Sequence, residues 1–255
     1  MEEVFLILFG LIIGSFLNVL IYRMPIGKSI VKPRSYCPQC KKPIKFYDNI
    51  PVISFIVLCG KCRDCKAKIS LQYPLVEIFT AFTFWISYSF YFSISPIYTL
   101  FTIIFLCIMV VLAIIDFKHM ILPDELTIGG GVLFLIYSFF NPLITYKDAF
   151  ISAFGSALVF TLLYFFYLKV RKIEGLGFGD VKMMILLGAF LGVNRLLIAL
   201  LLASLSGVII GFIFIIFKGK DLKTKLPFGP FLALGAYVSV FWGVCVLRFI
   251  QSVLR

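Results

Sequence analysis

VFLILFGLIIGSFLNVLIY, residues 4–22, runs for nineteen residues without a charge. A helix of that length covers the roughly 30 Å hydrocarbon core of a bilayer. No basic stretch precedes it and no small-residue cleavage site follows it. It therefore reads as a retained span and not as a cleaved signal peptide. Seven further apolar runs follow, near 74–94, 97–115, 126–146, 149–168, 181–193, 196–217 and 227–250. In lipid, backbone polar groups must be satisfied inside each segment, so such runs are helices. The expected fold is an all-α polytopic membrane protein with about eight transmembrane helices and a small cytosolic loop domain. Composition agrees: 62% of the 255 residues are hydrophobic, against about 45–50% in a soluble domain.

The connections between runs fix an orientation. With the N-terminus outside, twenty Lys and Arg residues fall on the inner side and four on the outer side, namely Lys147, Arg195, Arg248 and Arg255. That asymmetry is the positive-inside pattern. The net charge of +12 is accounted for by topology, and no nucleic-acid partner is expected. The run 181–193 is short for a crossing. Reading it as re-entrant would move Lys218, Lys220, Lys223 and Lys225 outside, against the charge rule. No internal repeat and no long linker stand out. The expected organisation is a first helix over 1–22, a cytosolic loop domain over 23–73 and a membrane bundle over 74–255.

Five of the seven cysteines lie in that loop. Cys37-Pro38-Gln39-Cys40 and Cys62-Arg63-Asp64-Cys65 are two C-x-x-C knuckles with 21 residues between them, a spacing typical of four-cysteine zinc sites. Each tight turn presents two thiolates. Four of them close a tetrahedral shell, so a Zn2+ held there is structural. A loop this small has too little apolar area to fold alone, and a metal supplies the missing stability. Free cytosolic thiols or a redox pair are the plainer alternatives. Cys59 reads as a spare, and Cys107 and Cys245 as membrane packing.

Gly175-Leu176-Gly177-Phe178-Gly179-Asp180 precedes the run 181–193. Alternating glycines open backbone conformations closed to other residues and admit a second chain. An acid at a span's mouth is expensive unless solvated or used. Asp116 ends the run 97–115. Two crossings separate Asp116 from Asp180, so both belong to the inner face. Paired carboxylates can share one proton, one activating water and the other polarising a carbonyl. The plain alternative makes each a separate acid paired with Lys118 or Lys182. Asp124, after Pro123, reads as a helix start, and His119 as an interfacial polar residue. Glu77, shortly after Pro74, reads as a first-turn acid or as a substrate or cofactor contact.

In order along the chain come Gly14-Ser15-Phe16-Leu17-Asn18 with Tyr22-Arg23-Met24-Pro25, the knuckles with Asp48-Asn49-Ile50-Pro51 and Ser54 between them, and Tyr73-Pro74 with Glu77. Asp116 with Pro123-Asp124, Gly177-Phe178-Gly179-Asp180-Val181-Lys182, and Pro227-Phe228-Gly229-Pro230-Phe231-Leu232 complete the series. This ordered series resembles the bacterial type IV prepilin leader peptidases, which are also N-methyltransferases. The G-x-G-D element alone is less specific, since presenilin-like intramembrane proteases carry it too.

The resemblance implies an inner-membrane enzyme that removes the short basic leader of prepilins or pseudopilins after a glycine at the cytosolic face. It implies methylation of the new N-terminal amine with S-adenosylmethionine. Asp116 and Asp180 would be catalytic, and Cys37, Cys40, Cys62 and Cys65 would hold zinc. Gly177, Gly179, Pro227 and Gly229 are the expected peptide-binding positions, and Ser15, Asn18, Arg23 and Glu77 the expected methyl-donor positions. No strand-then-glycine-loop nucleotide fingerprint occurs. Small residues such as Gly14 and Ser15 also serve plain helix packing. The competing reading is an ion-coupled transporter with Asp116 and Asp180 as proton sites. Against it, no charge lies in mid-span. The sequence leaves the particular substrate and the oligomeric state open.

Overall fold

The structure, a computed structural model, describes residues 2–171, 177–218 and 227–253. Gly175 and Leu176 of the glycine stretch lie outside them, as do Lys220, Lys223 and Lys225. Among the described residues the secondary structure is helical, with no strand beyond two isolated bridges. The helices are α1 (Glu2–Arg23), α2 (Ile53–Val57), α3 (Gln72–Tyr91), α4 (Pro96–His119), α5 (Asp124–Tyr137), α6 (Tyr146–Phe166), α7 (Phe178–Lys218) and α8 (Gly229–Val253). Prolines punctuate their starts. Pro96 opens α4, Pro123 flanks α5, and Pro74 and Pro230 lie in the first turns of α3 and α8. A proline's missing N–H costs nothing there. Among the described residues, four segments are long and apolar enough to cross a membrane: Glu2–Ile26, Pro96–His119, Tyr146–Val170 and Phe178–Ile213.

The chain forms two compact units, Met1–Val111 and Leu112–Arg255. In the first, α1 passes α3 at Gly10 and Gly14. A Cβ on either would come within 2.6 Å of the Ala81 or Glu77 Cα, so the small residues set the helix separation. The Phe9 and Phe84 rings meet edge to face at 5.8 Å. In the second unit, α7 packs on α5, α6 and α8. Its core holds Phe134, Met183, Met184, Leu187, Phe190 and Leu232, all buried.

Three boundaries differ from the sequence expectation. Helix α4 runs one turn past 115, to His119, so Asp116 is helical. The run 126–146 is cut short: α5 ends at Tyr137, a 3-10 turn covers Ser138–Phe140, and Asn141 is extended. Pro142 is the reason, because the residue before a proline is pushed out of the helical region. Thr145 then caps α6, its hydroxyl accepting from the Asp148 N–H at 3.3 Å.

The third difference joins the runs 181–193 and 196–217 in α7, with no polar loop between them. They are separated by a break at Gly192, with φ 69° and ψ 175°. Only glycine adopts that conformation readily. The next N–H, of Val193, donates to Asp148 Oδ1 at 3.4 Å. Asp148 thus sits where the second half of α7 begins, the placement a carboxylate favours.

Candidate active site and metal centre

The cysteine loop is built from two copies of one turn. In the first, the Cys37 N–H donates to the Lys42 carbonyl at 3.0 Å, Lys41 N–H to Cys37 at 2.9 Å, and Ile44 N–H to Ser35 at 2.8 Å. In the second, Cys62 N–H donates to Ala67 at 2.8 Å, Lys66 N–H to Cys62 at 3.0 Å, and Ile69 N–H to Gly60 at 2.8 Å. Lys41 and Lys66 both have positive φ, 61° and 59°. The expectation of no internal repeat is therefore corrected: Cys37 to Ile44 repeats as Cys62 to Ile69. Charge pairs clip the turns in place. Arg63 grips Asp48, with Nη2 to Oδ1 at 2.6 Å, and holds its carboxyl below the ordinary carboxylate range. Lys42 reaches Asp64 across the two copies at 3.2 Å.

The Sγ atoms of Cys37, Cys40, Cys62 and Cys65 all lie within 4.8 Å of one another. Those of Cys37 and Cys65 are 3.8 Å apart. A tetrahedral ion with bonds of about 2.3 Å to sulfur requires an edge of about 3.8 Å. The donor set and its spacing therefore fit a four-thiolate metal ion. Cys59 is exposed and outside the cluster.

Three of the expected methyl-donor residues converge on the facing surfaces of α1 and α3. Glu77 is buried and accepts the Val52 N–H at 2.7 Å. The Ser15 hydroxyl also bonds its carboxylate. Glu77 lies in the second turn of α3, not the first. Asn18 donates to the carbonyls of Tyr73 at 3.1 Å and Gly14 at 3.2 Å, and accepts from Gln72 at 3.3 Å. Arg23, also buried, is spent on loop carbonyls, bonding Ser29 at 2.9 Å and Pro33 at 2.7 Å. Val52 and Tyr73 were not anticipated at this point, because their contributions are backbone groups that side-chain chemistry does not advertise.

Asp116 and Asp180 come together in the second unit. Both are buried, 6% and 7% exposed, and the Asp116 charge acts on Asp180. Asp116 Oδ2 accepts the Gly229 N–H at 2.9 Å. Asp180 is the third residue of α7. Its N–H donates to the Gly177 carbonyl at 3.0 Å, and its carboxylate accepts the Gly177 N–H. The carboxylate contact is the acidic half of a capping box, whose other half Gly177, with no side chain, cannot supply. A Cβ at Gly179 would press on Leu122 at 3.1 Å. Pro227 lies two residues before the start of α8, with Phe228 between them. Lys182 pairs with Asp124 at 2.6 Å, so its carboxylate partner is not Asp180. Asp124 is the first helical residue of α5 and makes no cap of its own; Pro123 holds the cap position.

Comparison with known proteins decides the lineage. The bacterial peptidase A24 N-terminal domain matches residues 8–91, and the type IV leader peptidase family matches residues 103–212. A prepilin leader peptidase/N-methyltransferase of Aeromonas salmonicida is 37% identical over 274 residues, 96% of this chain and 92% of its own. The proteins of that name from Legionella pneumophila and Pseudomonas aeruginosa are 36% and 34% identical over 94% and 95% of this chain and 91% of their own. The chain belongs to the type IV leader peptidase family. No solved structure matches it. The two family segments share the chain in the order of its chemistry. The cysteine cluster and Glu77 fall in the N-terminal match, and Asp116 and Asp180 in the leader peptidase match.

Proposed function

We propose that this protein is a multi-pass enzyme of the bacterial inner membrane that cleaves the leader from prepilins or pseudopilins and methylates the amine so exposed. The observation that carries the peptidase half is the convergence of two buried carboxyls, Asp116 and Asp180. One takes a proton from water, the water oxygen attacks the scissile carbonyl, and the other gives its proton to the developing oxyanion. Collapse expels the amine, which takes up a proton, and the pair is restored. The glycine loop and Pro227 supply backbone against which an extended peptide can lie. The cut after glycine rests on the family likeness alone.

Eight crossings suit the reading: α1, α3, α4, α5, α6, the two halves of α7 and α8. Gly192 makes the sixth and seventh separable. The distribution of Lys and Arg puts the N-terminus outside and the cysteine loop and acid pair at the cytosolic face. On this reading residues 23–73 are a zinc-stapled cytosolic domain tied to methyl transfer, and 74–255 form the peptidase bundle.

S-adenosylmethionine, when bound, supplies a methyl group activated by a sulfonium. Glu77 suits its positive groups: it is buried, and among the described residues no cation pairs with it. Ser15 and Asn18 would orient the donor. Arg23 is a poor contact, since its guanidinium is committed to the loop. An ion-coupled transporter would use the same two acids, but nothing else here favours it.

The test is incubation of the purified protein with a prepilin peptide and S-adenosylmethionine, read by mass spectrometry. Leader loss followed by a methyl increment on the new N-terminus is expected. An intact peptide under conditions where the protein is folded would overturn the reading.

A further inference from the structure

We propose that Gly229 is a positioning residue for Asp116 and does not contact substrate, contrary to the role expected from sequence. This rests on the peptidase reading above. Gly229 is the first residue of α8 and is buried. The first turn of a helix leaves N–H groups without intrahelical partners. Here Pro230 has none to offer, and the Phe231 N–H turns back to the Phe228 carbonyl at 3.1 Å. The Gly229 N–H instead crosses 113 residues of sequence to Asp116 Oδ2, at 2.9 Å. The same contact leaves no room for a side chain. A Cβ at 229 would come within 2.7 Å of that oxygen and 3.1 Å of the Asp116 Cβ. Both the donor and the missing side chain therefore serve one end: they hold the Asp116 carboxyl in a single orientation beside Asp180. The orientation of a general acid or base affects the chemical step far more than binding.

The clean test removes the donor without adding an atom. Gly229 is replaced by glycolic acid through nonsense suppression in the full-length protein, turning the amide into an ester. Gly229→Ala is made in parallel, with metal content and methylation of a pre-cleaved peptide as folding controls. For the ester, kcat for prepilin cleavage is expected to fall about 10- to 100-fold, with KM within about twofold. Gly229→Ala is expected to lose kcat at least as severely. An ester with unchanged kcat, or with raised KM and unchanged kcat, overturns the positioning role. If instead Asp116→Asn still cleaves, the peptidase reading itself has failed, whatever Gly229 does.

Discussion

Lys182 Nζ lies 2.6 Å from Asp124 Oδ1, although Asp180 is only two residues away in the chain. The pairing takes away the cation that would most simply have neutralised Asp180. It also frees the two buried acids to be read as a pair. Asp124 is 59% exposed on its side chain and Lys182 24%, so their bridge is worth at most about 1 kcal/mol.

Asp116→Asn and Asp180→Asn are therefore each expected to abolish leader cleavage, because neither carboxyl can do the other's task. Asp124→Asn is expected to keep cleavage within about threefold, since it loses only a surface ion pair. Peptide cleavage by the three purified variants, with metal content as a folding control, makes the comparison. Near wild-type cleavage by either of the first two would end the aspartyl mechanism.

The cysteine cluster makes a different demand. Cys37→Ser, Cys40→Ser, Cys62→Ser and Cys65→Ser should each lower bound zinc, while Cys59→Ser should not. Metal needs deprotonated thiols, so zinc should be released as pH falls and protons compete for sulfur. Elemental analysis of protein purified without chelators, then dialysed at decreasing pH, reads both effects. Zinc-free wild-type protein would contradict the assignment.

Glu77→Gln separates the two activities. The amide keeps an acceptor for Val52 N–H and Ser15 but loses the charge. Methyl transfer to a pre-cleaved peptide is expected to fall about tenfold or more, with leader cleavage nearly unchanged. Equal loss of both activities in folded protein would instead make Glu77 a general anchor of the loop.

The parts legible in the sequence are those written in local spacing. Two C-x-x-C turns announce a thiolate cluster wherever the chain puts them, and Asp116 and Asp180 each border an apolar run. Hydropathy failed where backbone angles decide. It ran past Pro142, and it found two spans around Gly192 without seeing that one helical segment carries both. The repeat of the two knuckles went unnoticed because little beyond cysteine, lysine and isoleucine recurs. Tertiary partners were the least visible. Nothing near Gly229 points to Asp116, nothing near Glu77 points to Val52, and Lys182 has an acid on either side of the argument until the fold chooses Asp124.

The break in α7 is itself open to test. At φ 69° and ψ 175°, Gly192 occupies a region that costs other residues about 1–3 kcal/mol. An added Cβ would also collide with the Asp148 carboxylate. Gly192→Ala should lower the melting temperature in detergent by several degrees. Asp148→Ala should cost about 1 kcal/mol through loss of its bond to the second half of α7. Combined, the two should cost less than their sum, because each disturbs the same junction. Topology gives the stronger check. If Gly192 separates two crossings, a cysteine at Thr224 should react with an impermeant thiol reagent only after the membrane is opened, and one at Lys147 without opening. Labelling of Thr224 from outside would make the first half of α7 re-entrant and would reverse every later segment. Asp116 and Asp180 would keep their places, since both precede the break.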